Sequence, residues 1–369
     1  MAVSEDQIRE VLSTLIPEGD DRDIVSAGLV SGIAQRDGMI QVSIETTPDR
    51  VPEMEQVRQA AEQALKGLEG VKNATAVLTA EKPQAQPQQQ GPHQGHQHQQ
   101  PGPQGVPGVK ALIAVASGKG GVGKSTTTVN LALALASLGN KVGILDADIY
   151  GPSIPRMMGV TEQPSQTQNN TLLPPSSYGV KCMSMGMLVD EEEPVIWRGP
   201  MVMGALQQML TEVEWGELDV LVIDMPPGTG DAQLTLAQQT KLTGAVIVST
   251  PQDIALLDAR KGLNMFRKVN VPILGIVENM SYFVCPKCGE ESHIFAHGGA
   301  QATAEKYDVP FLGAVPLDME IRETSDKGQP IVVSKSESPH AQAYMWIAEN
   351  VQDGISTELE KTGPNISFE

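Results

Sequence analysis

The sequence predicts an α/β protein: a domain with a mostly parallel sheet flanked by helices, preceded by a small α+β module of αββαβ order. Three observations carry this. Short apolar runs at 110–116, 141–146, 219–224, 244–250, 273–278 and 311–315 alternate with helix-patterned stretches, and apolar strands joined by helices imply a sheet covered on both faces. A tract at 82–109 made almost wholly of Gln, Pro, Gly and His has too little apolar surface to offset the entropy of ordering, so it divides the chain. The 369 residues, 40% apolar but only 4% aromatic, suit two domains rich in Ala, Val, Leu and Gly. The expected division is a module at 1–81, a disordered linker at 82–109, the sheet domain at 110–355 and a tail at 356–369.

In chain order, Ser4 and Gln7 are spaced as a capping box, and Ile8, Val11, Leu12 and Leu15 recur at helical spacing, which predicts a helix over 5–15. Strands are expected at 29–34 and 39–45, because Ile40, Val42 and Ile44 alternate with polar residues and Asp37-Gly38 between the runs signals a hairpin. Met54, Val57, Ala61, Leu65 and Leu68 share one face of a second helix ended by Gly70, and 71–78 reads as the last strand. His93, His96 and His98 in the Gln-rich tract read as compositional and receive no site.

With 45 acidic and 26 basic residues the net charge is −19, which repels polyanions at long range. Neither nucleic acid nor an anionic membrane is therefore an expected partner. No apolar run approaches the roughly 18 to 20 residues of a membrane helix, and the opening Met1-Ala2-Val3-Ser4-Glu5-Asp6 lacks the basic-then-apolar plan of a signal peptide. A cytoplasmic location is expected. Three cysteines are too few for a disulfide framework; in a reducing compartment the close pair Cys285 and Cys288 points to metal or redox chemistry. Cys182, in the alternating stretch 180–185, is expected to be a small core residue, and the Met-rich stretch from Met183 to Met209 with Trp197-Arg198-Gly199-Pro200 fits either core packing or an adaptable dimer surface.

The strand at 111–115 runs directly into Gly118-Lys119-Gly120-Gly121-Val122-Gly123-Lys124-Ser125, and a helix pattern over 126–138 follows. This is the phosphate-binding loop in its full strand–loop–helix context, so the fold class becomes a P-loop NTPase. Glycines let successive backbone N–H groups turn toward phosphate oxygens, and the helix N-terminus adds its dipole. Residues 118–125 with Thr126 are thus the expected ATP site, Lys124 neutralising the β/γ-phosphates and Ser125 ligating Mg²⁺. Asp224 closes the strand at 219–224 and is the expected second Mg²⁺ anchor, through water. The Met225-Pro226-Pro227-Gly228-Thr229-Gly230-Asp231 loop follows it, where the Gly228 N–H can report a γ-phosphate. Asp146 and Asp148 close another strand, and one of them is expected to position the attacking water.

Lys119 is the extra lysine of the deviant Walker A subclass, and the stretches DADIYGPSIPRMMG, IDMPPGTGD, VSTPQDIALLDARKG, GIVENMSYFVCPKCG and HIFAHGGA resemble the Mrp/ApbC branch of it over most of 110–350. The resemblance implies a homodimer closed face to face around two ATP molecules, with Lys119 reaching the partner subunit's nucleotide. It assigns Asp148 to switch I, Asp224 to Walker B, Asp231 to switch II and Asn279 to the surroundings of the adenine. It also implies a slow ATPase that receives a labile [4Fe-4S] cluster from an assembly scaffold and delivers it to apo-proteins. The N-terminal module resembles a small domain recurrent in iron–sulfur assembly proteins, but Thr46-Thr47-Pro48-Asp49-Arg50-Val51-Pro52 lacks the cysteine often found there. A scaffold or docking role is expected of the module rather than thiol chemistry.

Cys285-Pro286-Lys287-Cys288-Gly289 reads as a metal knuckle: two residues between the thiols let both sulfurs face one metal, Gly289 relieves the turn, and Lys287 is expected to favour the thiolates. A cluster or structural zinc wants about four protein ligands. Either two subunits each donate the pair, as the resemblance implies, or His293 and His297 complete an intrachain zinc site. Two alternatives remain at this level. One is a Min/Par-type positioning ATPase, disfavoured by the charge of −19 and by a C-terminal stretch with no basic amphipathic pattern. The other is a zinc-stabilised, nucleotide-dependent scaffold, which spacing leaves open.

Overall fold

A computed structural model describes residues 5–17, 20, 22–36, 39–46, 50–68, 71, 73–80, 105–167, 171–188 and 199–362. The chain divides into two compact units, Met1–Gln97 and His98–Glu369.

The first unit has the expected order: α1 (Glu5–Leu12), β1 (Val30–Arg36), β2 (Met39–Thr46), α2 (Val51–Lys66) and β3 (Asn73–Ala80). β2 is central, antiparallel to β1 and parallel to β3, and the right to run parallel comes from the α2 crossover. Alternation sends Val42 and Ile44 into a core with Ile8, Leu12, Met54, Ala61 and Leu65. α1 is shorter than its apolar spacing predicts. The Ser13 and Thr14 hydroxyls donate back to the Glu10 and Val11 carbonyls at 2.7 Å each, local bonds that favour a turn over another helical residue. α2 likewise stops at Lys66, with the Gly67 N–H bonding back to the last turn. Ser4, Asp37, Gly38, Gly70, His93, His96 and His98 lie outside the described residues.

The second unit contains β4 (Val109–Ala116), α3 (Lys124–Ser137), β5 (Val142–Asp146), α4 (Ile154–Met157), β6 (Ser165–Gln166), β7 (Leu172–Leu173), β8 (Ser176–Ser177), β9 (Val180–Ser184) and α5 (Gly199–Thr211). It continues through β10 (Leu218–Asp224), α6 (Asp231–Gln239), β11 (Gly244–Ser249), α7 (Asp253–Lys268), β12 (Ile273–Glu278), β13 (Phe283–Val284) and β14 (Glu291–Ser292). Last come α8 (Gly299–Lys306), β15 (Phe311–Ala314), α9 (Met319–Asp326), α10 (Ile331–Ser334) and α11 (Pro339–Thr362). Eight strands form one sheet in the order β15-β12-β11-β4-β10-β5-β9-β8, parallel throughout except for β8. All six strands expected from apolar runs are present.

The pleat of β4 divides the core. Leu112, Ala114 and Ala116 pack on one face with Leu206 of α5, Leu236 of α6 and Leu263 of α7. Ala111, Ile113 and Val115 pack on the other with Leu131 and Leu135 of α3 and Tyr344 and Ile347 of α11. Placing β4 between β10 and β11 brings the loops after β4, β5, β10 and β12 to one edge of the sheet, the usual ligand side of such a fold.

Two boundaries shift. Val106, expected in the linker, is buried against the first core, and the strand starts at Val109. α11 continues to Thr362 rather than giving way to a tail at 356. Its apolar series Tyr344, Ile347, Ala348, Val351 and Ile355 keeps helical spacing against the sheet, and the Gly363-Pro364 stop signal comes only after Thr362. Cys182, Met183, Met185, Met187 and Met209 are all buried, whereas Met201 is exposed; Trp197 and Arg198 lie outside the described residues. Among the described residues no helix is long and apolar enough to cross a membrane.

Candidate functional site

The loop after β4 is held from three sides. The Ser117 hydroxyl donates to the Lys119 carbonyl at 2.9 Å, and the Gly228 N–H donates to the Ser117 carbonyl at 3.1 Å. From β12, the Asn279 amide donates to the Val122 carbonyl at 2.8 Å while its own backbone N–H bonds to Ser249. Two glycines are required by close approach: a Cβ on Gly118 would lie 2.2 Å from the Asp258 backbone carbon, and one on Gly123 would lie 2.1 Å from the Asn279 amide nitrogen. Gly123 also caps α3 with φ +79°, a conformation that disfavours any side chain. Gly120 and Gly121 have open space beside them. Gly121 shares the left-handed backbone, at φ +79°.

The first residues of α3 converge on the end of β10. Asp224 is fully buried and accepts from Ser125 Oγ at 2.6 Å and Thr128 Oγ1 at 2.7 Å, with Lys124 Nζ 2.7 Å away. Every carboxylate oxygen thus has a partner, which a buried charge requires. The hard oxygens of Ser125 and Asp224 are the donor chemistry Mg²⁺ takes, beside an ammonium able to meet phosphate. Thr128, absent from the expected set, has a recoverable signal: it lies one helical turn beyond Lys124, on the same face.

Asp146 and Asp148 take different positions. Asp146 is buried opposite Asp224, and its carboxylate accepts from the Asp148, Ser153 and Ile154 N–H groups and the Ser184 hydroxyl at 3.0–3.2 Å. Burial and then the Asp224 charge push its carboxyl up to about 7. It pins the loop that carries Asp148. Asp148 is half-buried, and burial raises its carboxyl, opposed by Lys124. Asp231 is exposed in the first turn of α6, and Lys119 Nζ reaches Gln252 Oε1 at 3.5 Å.

A cavity of about 470 Å³ opens beside the loop, lined at one end by Gly123 and Thr126 and further on by Asn279, Phe283, Leu317 and Arg322. Its volume lies within the usual range for small-molecule sites. Asn279 therefore both braces the loop and faces the cavity. Leu317 and Arg322 carry no sequence signal of their own, because only the return of β15 to the sheet edge brings their segment to this place.

The knuckle is a hairpin. β13 pairs with β14, the Cys285 N–H donates to the Glu290 carbonyl at 2.9 Å, and the Gly289 N–H donates to the Cys285 carbonyl at 2.8 Å. Cys285 is half-buried and Cys288 exposed. N–H donation from Cys288, then from Lys287, and then the Cys288 side chain hold the Cys285 thiol below its ordinary value. Lys287 thus acts through its amide, where its ammonium was expected to act. His293 and His297 face one another, Nδ1 to Nδ1 at 3.3 Å, with Glu291 3.6 Å from His293 Nε2. Among the described residues no three His, Cys, Asp or Glu side chains converge as a metal-holding group. The intrachain zinc completion is therefore not assembled.

A phosphate loop at the edge of a parallel sheet, with paired acids on the adjoining strands and a lysine inside the loop, defines a P-loop NTPase of the ParA/MinD architecture. The chain belongs to the NUBPL iron-transfer P-loop NTPase family, whose profile matches residues 108–352, and a profile for iron-sulfur cluster assembly proteins matches residues 5–76. The Arabidopsis thaliana iron-sulfur protein required for NADH dehydrogenase, mitochondrial, is 58% identical over 70% of this chain and 82% of its own length. The iron-sulfur cluster carrier protein of Synechocystis is 45% identical over 94% of this chain and 97% of its own. A solved nucleotide-binding protein from Archaeoglobus fulgidus, in complex with ADP, has a TM-score of 0.56 and 42% identity, covering 64% of this chain and 92% of that one.

Proposed function

We propose that this chain is an ATP-dependent iron–sulfur cluster carrier: it binds a labile [4Fe-4S] cluster between two copies of itself and transfers it to apo-proteins. The observation that carries the reading is the presence, in one family member, of a braced phosphate loop and a thiol pair, one half-buried and one exposed, with no third ligand converging on it among the described residues. Two thiols per chain suit a cluster shared by two chains, and few ligands per chain ease its release.

In this reading residues 118–126 hold the ATP phosphates, Ser125 and Asp224 hold Mg²⁺, and the cavity beside Asn279 takes the nucleoside. Lys124 turns from Asp224 to the β/γ-phosphates, and Lys119 reaches the nucleotide of the partner subunit. Asp148 positions the attacking water, held in place by the loop that Asp146 pins. The Gly228 N–H exchanges the Ser117 carbonyl for a γ-phosphate oxygen, and that exchange moves the segment leading to Asp231. Hydrolysis is slow and switches the dimer between holding and releasing its cargo. The N-terminal module, joined through 82–109, docks donor scaffold or recipients in the cytoplasm, with neither nucleic acid nor membrane as partner.

Anaerobic reconstitution with iron and sulfide tests the reading. The expected outcome is a chromophore with four irons per two chains, lost in Cys288→Ala. A colourless protein with no bound iron would overturn it.

A further inference from the structure

The cysteine hairpin has two ends with different surroundings. At its tip stand Cys285 and Cys288. At its base stand Phe283, two residues before the first thiol, and Ile294, two residues after β14, and both side chains line the 470 Å³ cavity that begins at Gly123 and Thr126. An extended chain rises about 3.3 Å per residue, so the cavity wall and the first thiol are separated by about 7 Å of continuous strand. A further lining residue is tied to the start of the same hairpin, because the Leu317 N–H donates to the carbonyl of Tyr282, the residue before β13, at 2.7 Å and Leu317 also lines the cavity. The phosphate loop joins the same unit through Asn279, four residues before Phe283.

We propose that Phe283 and Ile294 are positioning residues that couple nucleoside occupancy of this cavity to the geometry of Cys285 and Cys288. This rests on the reading of the chain as a nucleotide-dependent cluster carrier. A ligand changes a distant equilibrium only through contacts that differ between two states, and here the contact surface for a nucleoside is the base of the thiol hairpin itself. β13 and β14 are two residues each, so few ladder bonds resist a tilt of the hairpin about its base. Coupling runs through the base and sugar side of the nucleotide, whereas the 225–231 loop reads the phosphate side. ADP therefore acts on the thiol pair through this wall as ATP does, and the phosphate-side switch of the 225–231 loop adds to it with ATP alone. By reciprocity, cluster loading changes ADP affinity by the factor by which ADP changes cluster affinity.

The test uses the full chain, reconstituted anaerobically, and follows cluster loss to an iron chelator without nucleotide, with saturating MgADP and with saturating MgATP. Parent protein is expected to change its loss rate about fivefold or more with either nucleotide, in line with ordinary coupling energies. Ile294→Ala and Phe283→Ala, each at its own saturating ADP, are expected to hold that ratio below about twofold, and Ile294→Val to restore most of it. Ile294 is 55% exposed, so its truncation opens no core, and the ratio reports coupling that a mere loss of loading would not. Full nucleotide effects in both alanine variants, or an effect of ATP with none of ADP, would overturn the proposal while leaving the carrier reading intact. A chain that takes up no iron at all would overturn both.

Discussion

The phosphate loop and the cysteine hairpin both leave carboxyl ends of parallel strands, yet they are built in opposite ways. In the phosphate site, Lys124, Asp224, Thr128 and Asn279 are buried; Asp224 is held by side chains of α3, and Asn279 is bonded to the backbone of the loop. In the hairpin, the thiols stand half-buried and exposed in the turn between two-residue strands, held mainly by backbone bonds within five residues. Under the proposed function, the first site must fix three phosphates and a water in line, which needs a rigid shell. The second must surrender its cargo to another protein, which needs access instead.

The largest consequence concerns Lys124. Lys124→Ala leaves Asp224 with two hydroxyl partners and no counter-charge in a fully buried position, and breaking such a pair costs about 3 kcal/mol or more. Urea unfolding should show that loss, together with abolished nucleotide binding. Cys288→Ala should stay within about 0.5 kcal/mol of the parent, as exposed substitutions do. Equal stability of the two variants would break the contrast between the regions.

Matched glycines sharpen it. Gly123 and Gly289 have nearly the same backbone, φ +79° and +76°. A Cβ on Gly123 meets the Asn279 amide nitrogen at 2.1 Å, while one on Gly289 meets nothing within 4 Å. Gly289→Ala should therefore cost only the left-handed penalty of about 1 kcal/mol. Gly123→Ala should cost about 2 kcal/mol or more, since it also displaces the brace on the Val122 carbonyl. Thermal melts of the two variants side by side decide this.

The same contrast governs what the sequence could disclose. The six strands, the phosphate loop, Asp224 and the thiol pair were legible because each is a local pattern: an apolar run, a spacing, an acid at a strand end. Asn279 was legible only through resemblance. Its bond to Val122 spans 157 residues, and nothing around it in the chain announces a brace. Leu317, Arg322 and the hairpin-base residues Phe283 and Ile294 carry no local mark either, because what they share is a cavity made by topology. The end of α1 and the domain boundary at 356 were misplaced for opposite reasons. Side-chain hydroxyls cut α1 short despite apolar spacing, and in α11 the helical pattern outlasted the expected boundary.

Asp146 gives a smaller effect, visible through pH. Its carboxyl titrates near 7 in the folded chain, against about 3.9 when unfolded. Between those values the folded state holds the extra proton, so this group's contribution to stability is full below about pH 4 and falls as pH rises through 7. Asp146→Asn cannot ionise and lacks that slope. The variant loses an acceptor for the 148–154 loop and should be the less stable of the two at pH 5, but the gap should narrow by up to about 1.4 kcal/mol per pH unit toward pH 7.5. A gap independent of pH would mean that Asp146 is already charged in the fold.

The smallest effect lies within the hairpin and separates Cys285 from Cys182. The thiolate is the reactive form, so alkylation rate follows the fraction ionised. Cys285 receives N–H donation from Cys288 and Lys287, which stabilises its thiolate and lowers its titration. Cys182 is fully buried, and burial with Asp146 nearby drives its thiol far above the ordinary range. Iodoacetamide at pH 7.5, read site by site by mass spectrometry, should therefore label Cys285 readily and leave Cys182 untouched until the fold is opened. Raising the pH from 6.5 to 9 should bring the Cys285 rate to its plateau before that of a free thiol, whose midpoint is about 8.5. Cys288→Ala removes the side-chain contribution but leaves both backbone donors in place, so the Cys285 midpoint should rise only part of the way back. A full return would assign the lowered titration to the second sulfur alone, and the backbone turn would then have no part in readying the pair.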